Sequence, residues 1–124
     1  MNTSTTPEFR RARRRRAIAR IDVVDAMTDA VIGQLGNLSE SGLLLIANAP
    51  LNEDALYQWR FRLPQPGGGD AEIECGAQVL WLDRTSASGQ LWAGARFILL
   101  PKAGHQALNA WVDAPAQSWP LALV

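Results

Sequence analysis

Short apolar segments with a two-residue period recur along residues 18–100, and turn-forming residues separate them. The clearest example has apolar side chains at every second position from Tyr57 to Leu63, and others run from Ile73 to Trp81 and from Leu91 to Leu99. Such alternation is typical of β-strands with one buried face and one solvated face. The pattern predicts an all-β domain in which these three segments are strands.

Three earlier segments complete the predicted sheet. Ile21 and Val23 alternate with charged residues, and the run 31–35 follows after a turn. The third segment, Leu43 to Ile46, is continuously apolar, which predicts a strand buried on both faces. Six strands of this length predict a small antiparallel β-barrel, because closure removes exposed sheet edges.

The residues after the predicted barrel change period. Leu108, Trp111 and Val112 recur at helical spacing, and Pro101 suits the first position of a helix. We therefore expect a short helix from about Lys102 to Asp113 that packs on the barrel.

These elements predict one domain over residues 10–113, with an arginine-rich arm at 10–20 and a barrel at 18–100. Residues 1–9 are small and polar, which predicts a disordered terminus. Residues 114–124 contain two prolines and several large apolar side chains, so we expect a non-helical tail that makes contacts.

Length and composition agree with one globular domain: the chain has 124 residues, of which 48% are hydrophobic and 19% charged. A single cysteine, Cys75, and a single histidine, His105, exclude a disulfide scaffold and a structural zinc module. No apolar run approaches the roughly 20 residues of a membrane-spanning helix, and no signal peptide is recognisable. We expect a cytoplasmic protein.

Signatures of common enzymes are missing. The sequence has no GxSxG, GxxxxGK[ST], HExxH or GxGxxG motif, and the run Gly67 to Gly69 is typical of a hairpin loop. His105 has no acidic neighbour at helical spacing, and Cys75 lies on the apolar side of its strand. We therefore predict a protein that is not an enzyme and that uses no cofactor and no metal.

Charge is distributed unevenly along the chain. Residues 1–20 carry seven of the 12 basic side chains and one of the 12 acidic ones, so their formal charge is +6 and that of the remainder is −6. A basic segment of this kind indicates an anionic partner, such as nucleic acid, a membrane surface or a phosphorylated small molecule.

Two short segments carry the most specific signal. The first is the arginine run at 10–16, which alone could be a solvated tail, and the second is Asn37-Leu38-Ser39-Glu40-Ser41-Gly42, which alone could be a tight turn with Gly42 at positive φ. Together they resemble the [RR]xxxR and [DN]xSxxG elements of PilZ domains. Arg15 and Asn37 are 22 residues apart, which is similar to the interval in that family, and the segments 79–81 and 93–97 resemble its later strand motifs.

The resemblance implies a six-stranded barrel that binds the bacterial second messenger cyclic di-GMP. This ligand has two phosphates and two guanines, which arginine can bind through bidentate hydrogen bonds and by stacking, while asparagine and serine can meet the polar edges of the base. The resemblance assigns ligand binding to Arg10, Arg11, Arg15, Asn37, Ser39 and Gly42.

Two points stay open at this stage. The arginine run also allows Arg10 with Arg14, or Arg16 with Arg20, as the spaced pair, although the interval to Asn37 favours Arg11 with Arg15. Trp81 could stack on the ligand, or it could pack in the core in line with the alternation of its strand.

The predicted mechanism is an arm that becomes ordered across the barrel rim when it binds cyclic di-GMP, and that thereby signals to a separate effector protein. One alternative is a PilZ-fold adaptor that does not bind the ligand. Another is a nucleic-acid-binding module that uses the basic arm, but the acidic body argues against it.

Overall fold

A computed structural model describes residues 13–84 and 89–114 of the chain. The predicted terminus at 1–9 and residues 115–124 of the predicted tail lie outside this described part. In chain order, the elements are β1 (Arg14–Arg16), β2 (Asp22–Asp25), β3 (Val31–Ser39), β4 (Gly42–Ala47), β5 (Leu56–Pro64), β6 (Asp70–Asp83), β7 (Leu91–Leu99) and α1 (Lys102–Asp113).

Six of the strands close into a barrel, as predicted. β3 pairs with β2, and the ring continues through β5, β6, β7 and β4 before returning to β3, with every pairing antiparallel. The seventh strand, β1, is additional and pairs with β3 alone. The sequence did not predict it, because a run of arginines has no apolar alternation.

The barrel interior holds the alternating apolar side chains. In β5, Trp59, Phe61 and Leu63 are buried, and β6 buries a matching set from Ile73 to Val79. β4 differs from its prediction, because Leu43, Leu45 and Ala47 are buried whereas Leu44 and Ile46 are only partly buried. A strand in a closed barrel has one outward face, and Leu44 and Ile46 lie on it.

Trp81 is also placed differently from the inward alternation that its strand predicts. The register of β6 against β7 shifts between Val79 and Trp81, which is the effect of a β-bulge. Leu80 and Trp81 are 48% and 45% exposed as a result. The bulge moves the tryptophan to the outer surface of the barrel.

Helix α1 has the predicted bounds and packs on the barrel end. Its buried residues are Gly104, Leu108 and Trp111, and Leu108 and Trp111 belong to the same core cluster as the barrel side chains. Pro101 precedes the helix as its N-cap instead of occupying its first position. No helix within residues 13–84 and 89–114 is long and apolar enough to cross a membrane.

Close backbone approach within the barrel generates a stability prediction. A Cβ atom at Gly33 would lie 2.4 Å from the carbonyl oxygen of Ile46, whereas a Cβ atom at Gly67 would meet nothing within 4 Å. We expect Gly33→Ala to lower the free energy of unfolding by about 1–3 kcal/mol, as overpacking does, and Gly67→Ala to change it by less than about 0.5 kcal/mol. Urea denaturation followed by circular dichroism measures both. Equal effects would contradict the close contact between β3 and β4.

Candidate functional site

The pairing of β1 with β3 brings the two predicted motifs together. Arg14 lies opposite Ser39, and Arg16 lies opposite Asn37. Residues 14–16 are therefore part of the barrel sheet, whereas the sequence predicted a separate arm over 10–20 that ligand alone would order. Main-chain pairing with β3 holds them instead.

Strand alternation divides these side chains between two faces. Directly opposed residues of an antiparallel pair share a face, so Arg14, Arg16 and Asn37 lie on the outer side of the barrel. Ser39 is opposite Arg14 and on the same side of its strand, but it is fully buried. Arg15 lies opposite Leu38, which is completely buried, and its side chain is on the inner side. The structure thus places Arg14, not Arg15, beside Asn37.

A direct hydrogen bond links the two motifs. Arg14 Nη1 donates to Asn37 Oδ1 at 2.7 Å, and both residues are accessible to solvent. Arg20, which belongs to one alternative arginine pair, is instead bound to Asp22 at 2.8 Å. Arg10 and Arg11 lie outside the described residues. The arginine that contacts Asn37 is Arg14, which belongs to the alternative Arg10–Arg14 pair.

Ser39 and Gly42 shape the turn between β3 and β4. Ser39 is fully buried, and its hydroxyl lies 3.1 Å from that of Ser41 and accepts a hydrogen bond from the Ser41 backbone N–H at 3.3 Å. Gly42 does not have the positive φ that its place in a turn suggested. Glycine is needed there because a Cβ atom would lie 2.2 Å from the carbonyl oxygen of Ala95 on β7.

Arg15 binds the end of helix α1. Its Nη1 donates to the carbonyl oxygens of Trp111 at 2.8 Å and Ala114 at 3.3 Å, and its guanidinium carbon lies 4.7 Å from the centroid of the Trp111 ring. Burial lowers the pKa of the Arg15 guanidinium from its ordinary value. No local sequence pattern predicts this contact, because Trp111 is 96 residues from Arg15 in the chain.

Two further contacts join α1 to the motifs. Arg13 forms an ion pair with Asp113 in the last turn of the helix. At the other end of the helix, His105 Nε2 lies 3.8 Å from Glu40 Oε2 in the β3–β4 turn. The helix therefore contacts both the arginine strand and the turn that follows Asn37.

A row of paired residues extends the outer surface from β1 to β6. Arg16, Asn37, Leu44, Gly94 and Trp81 are opposed in successive strand pairs and so share one face. A Cβ atom at Gly94 would lie 2.2 Å from the Trp81 indole, so the ring lies directly over the β7 backbone. Along this face, the arginines lie at the β1 end and the exposed indole lies at the β6 end.

The described residues offer little else with catalytic or metal-binding character. Within residues 13–84 and 89–114, no three His, Cys, Asp or Glu side chains are grouped so that they could hold a metal ion. Burial raises the pKa of the Cys75 thiol to about 12, so this thiol is not activated as a nucleophile. The outer surface beside β1 has exposed Arg14 and Arg16, with the exposed Trp81 indole in the same row, and these groups are suited to binding an anion that has an aromatic part.

Comparisons with known proteins agree with this architecture. A family model described as PilZ domain matches residues 8–114, which include both motifs. Among solved structures, the Bacillus subtilis inhibitor of motility, MotI/DgrA, is similar to this chain, with a TM-score of 0.66 and 16% sequence identity. That match covers 81% of this chain and 47% of the other, so this chain spans about half of the neighbour's length and the likeness concerns the fold alone. A search of curated proteins gives no significant match.

The contacts of Arg15 generate a second stability prediction. Arg15→Ala removes the interaction with the Trp111 ring and two carbonyl hydrogen bonds, so we expect the free energy of unfolding to fall by about 1–3 kcal/mol. Arg16→Ala removes the same charge from an exposed neighbouring position and should cost less than about 0.5 kcal/mol. Thermal unfolding of the two variants makes the comparison. Equal losses would mean that the Arg15 contacts with α1 contribute nothing specific.

Proposed function

This chain belongs to the PilZ domain family, and we propose that it is a receptor for cyclic di-GMP that binds the nucleotide on the outer surface of β1, β3 and β4. The observation that carries the proposal is the register of β1 against β3, which sets Arg14 and Arg16 beside Asn37. Two like-charged guanidinium groups on one face form a suitable place for a phosphodiester.

The nucleotide chemistry matches the side chains that line this surface. Arg14 and Arg16 would bind phosphate oxygens by charge-assisted hydrogen bonds, which are stronger than bonds between neutral groups. Arg10 and Arg11 are proposed as additional phosphate and base contacts, in line with the family motif. Asn37 would read a polar edge of guanine.

Ser39 and Gly42 support the site through the turn they build. The Ser39 hydroxyl is engaged with Ser41, so its proposed contribution is to hold the β3–β4 turn in shape. Because Gly42 has no side chain, β4 can pack closely against β7, and nothing projects from position 42 beside Ser39. A flat ligand can then approach the backbone closely.

Trp81 is proposed as a stacking surface for a guanine. The backbone of Trp81 is in β6, but its ring lies over Gly94 in β7, which is the neighbouring strand on the side of Asn37. Trp81 is 45% exposed. Stacking of a base on an aromatic side chain contributes about 1–3 kcal/mol in single-stranded nucleic-acid complexes. One guanine of the ligand could stack on the Trp81 indole while the other contacts Asn37, since both residues lie in the same row.

The output of the receptor is proposed to be a contact with a separate effector protein, and the proposed role is binding, not catalysis. Nucleic acid is a weaker candidate partner, because the chain outside residues 1–20 has a formal charge of −6. A cytoplasmic location stays a prediction of the sequence.

Isothermal titration with cyclic di-GMP tests the proposal. We expect wild-type protein to saturate at one or two ligands per chain, and Arg14→Ala and Asn37→Ala to weaken binding about tenfold or more, since each removes a polar contact with the nucleotide. Arg62→Ala removes an arginine on β5, where it binds Glu72 at 3.4 Å, and should leave the affinity unchanged. GTP is the ligand control. Absence of binding to wild-type protein at high micromolar ligand would contradict the proposed function.

Asn37→Asp tests how the base is read. Arg14 already donates to Asn37 Oδ1, whereas a carboxylate could accept from Arg14 with one oxygen and from guanine N–H groups with the other. We expect the substitution to tighten cyclic di-GMP binding by about five- to tenfold. The same titration measures it. Weaker binding by the aspartate variant would mean that the Asn37 amide donates to the base, and would contradict the expectation that the side chain at position 37 accepts from guanine N–H groups.

A further inference from the structure

An open groove runs beside residues 14–24, on the side of β1 that faces away from β3. Residues 14–18 line a cavity of about 760 Å³ beside the C-terminal end of α1, and residues 19–22 and 24 line a second cavity of about 730 Å³ beside β5. Because residues 18 and 19 are consecutive, the two cavities adjoin. We call the combined cavity the edge groove.

Two unpaired strand edges face each other across the edge groove. Among the described residues, β1 pairs with β3 alone, and β2 pairs with β5 only at Val24 and Asp25. Gln58 of β5 accepts a backbone hydrogen bond from Ala26 at 2.9 Å, and alternation along β5 directs the backbone N–H and C=O of Arg62 to the same side. A strand in the edge groove would therefore meet backbone groups of Arg62 that no described strand pairs with.

The last described residue lies at one end of the edge groove. Ala114 lines the cavity beside α1, and its carbonyl oxygen accepts from Arg15 at 3.3 Å. The backbone of Ala114 is already extended, as expected for a residue before proline. The next ten residues, 115–124, can span about 33 Å as a strand, whereas residues 14–21 span about 25 Å. The segment that follows α1 is thus long enough to reach the far end of the groove.

The sequence of this segment suits an added strand. Trp119, Leu121 and Leu123 are apolar at every second position, which predicts a strand with one apolar face. Pro120 cannot donate a backbone hydrogen bond, but the backbone groups of alternate residues point to opposite edges, so the missing donor affects one edge only. The segment can pair with β5 through the three apolar residues.

The walls of the edge groove suit a segment without charge, and residues 115–124 contain no charged side chain. On one wall, Arg20 is paired with Asp22 at 2.8 Å, and on the other, Arg62 is paired with Glu72 at 3.4 Å. An uncharged strand can therefore lie between the walls without leaving an arginine there in need of a new partner.

We propose that residues 115–124 lie in the edge groove as an added strand that fills the gap between β1 and β5. The segment runs in the direction of residues 14–24 and is therefore antiparallel to β5, as β2 is. Trp119 packs over Ile21 and Phe61, two buried side chains that line the groove. No nucleotide takes part in this contact, so the inference is independent of the proposed function.

Amide hydrogen exchange of the full chain gives the first test. We expect the Arg62 amide to exchange about tenfold faster or more in the double variant Trp119→Ala/Leu121→Ala than in wild-type protein, because the variant loses the apolar contacts that hold the strand. The Leu63 amide faces β6 and is the control, which should not change. Equal exchange of Arg62 in both proteins, each shown to be folded by circular dichroism, would overturn the proposal.

Disulfide trapping gives a second test that does not remove the apolar contacts. Ile18 lines the edge groove and is 62% exposed, and Ser118 precedes Trp119 by one residue. With oxidised glutathione, we expect Ile18→Cys/Ser118→Cys to form an intrachain disulfide about fivefold faster or more than the control pair Val31→Cys/Ser118→Cys, since nearby thiols have a high effective concentration. Intact mass after thiol blocking measures both.

Two residues keep this comparison specific. Val31 is 48% exposed on β3 and does not line the edge groove, so it matches Ile18 in accessibility but not in position. Burial raises the pKa of the native Cys75 thiol to about 12, so it stays unreactive. Equal rates for the two pairs would overturn the proposal. A disulfide between two chains would also overturn it, because the segment would then lie in the groove of a second copy.

Discussion

The antiparallel pairing of β1 with β3 is the constraint on which the candidate site depends. Its register decides that Arg14 and Arg16 share a face with Asn37 and Ser39, and that Arg15 faces the helix. A shift by one residue would reverse every one of these assignments, since side chains alternate along a strand. The hydrogen bond from Arg14 to Asn37 is compatible with the observed register.

Two glycines in β4 and β7 affect the shape of the outer surface beside β1. Gly42 and Gly94 occupy positions where a Cβ atom would collide with β7 backbone or with the Trp81 ring. Their effect is to bring β4 close to β7 and the Trp81 indole close to the sheet, while between Asn37 and Gly94 the row has one large side chain, the partly buried Leu44.

Much of the fold could be predicted from the sequence, because alternation in β5 and β6 and the helical spacing of Leu108 and Trp111 report directly on burial. The prediction failed where strand pairing, and not the local pattern of apolar residues, determines the structure. Arg14–Arg16 form a strand because β3 offers a partner edge, a fact that four successive arginines do not encode. Trp81 faces outward because a bulge interrupts its alternation.

The candidate site was predictable as a pair of motifs but not as an arrangement. The spacing of Arg15 and Asn37 indicated that the two segments act together, yet the residue that contacts Asn37 is Arg14. The contact of Arg15 with Trp111 depends on where α1 docks, which no local signal specifies. These contacts also connect the proposed nucleotide surface to the only helix among the described residues.

Nuclear magnetic resonance titration of ¹⁵N-labelled protein with cyclic di-GMP tests the central claim most directly, because it reports on both faces of β1 in one experiment. We predict that the largest shift changes occur in β1 and in residues 37–42, with little change in β5. Changes confined to β5 and β6, or none at saturating ligand, would contradict it.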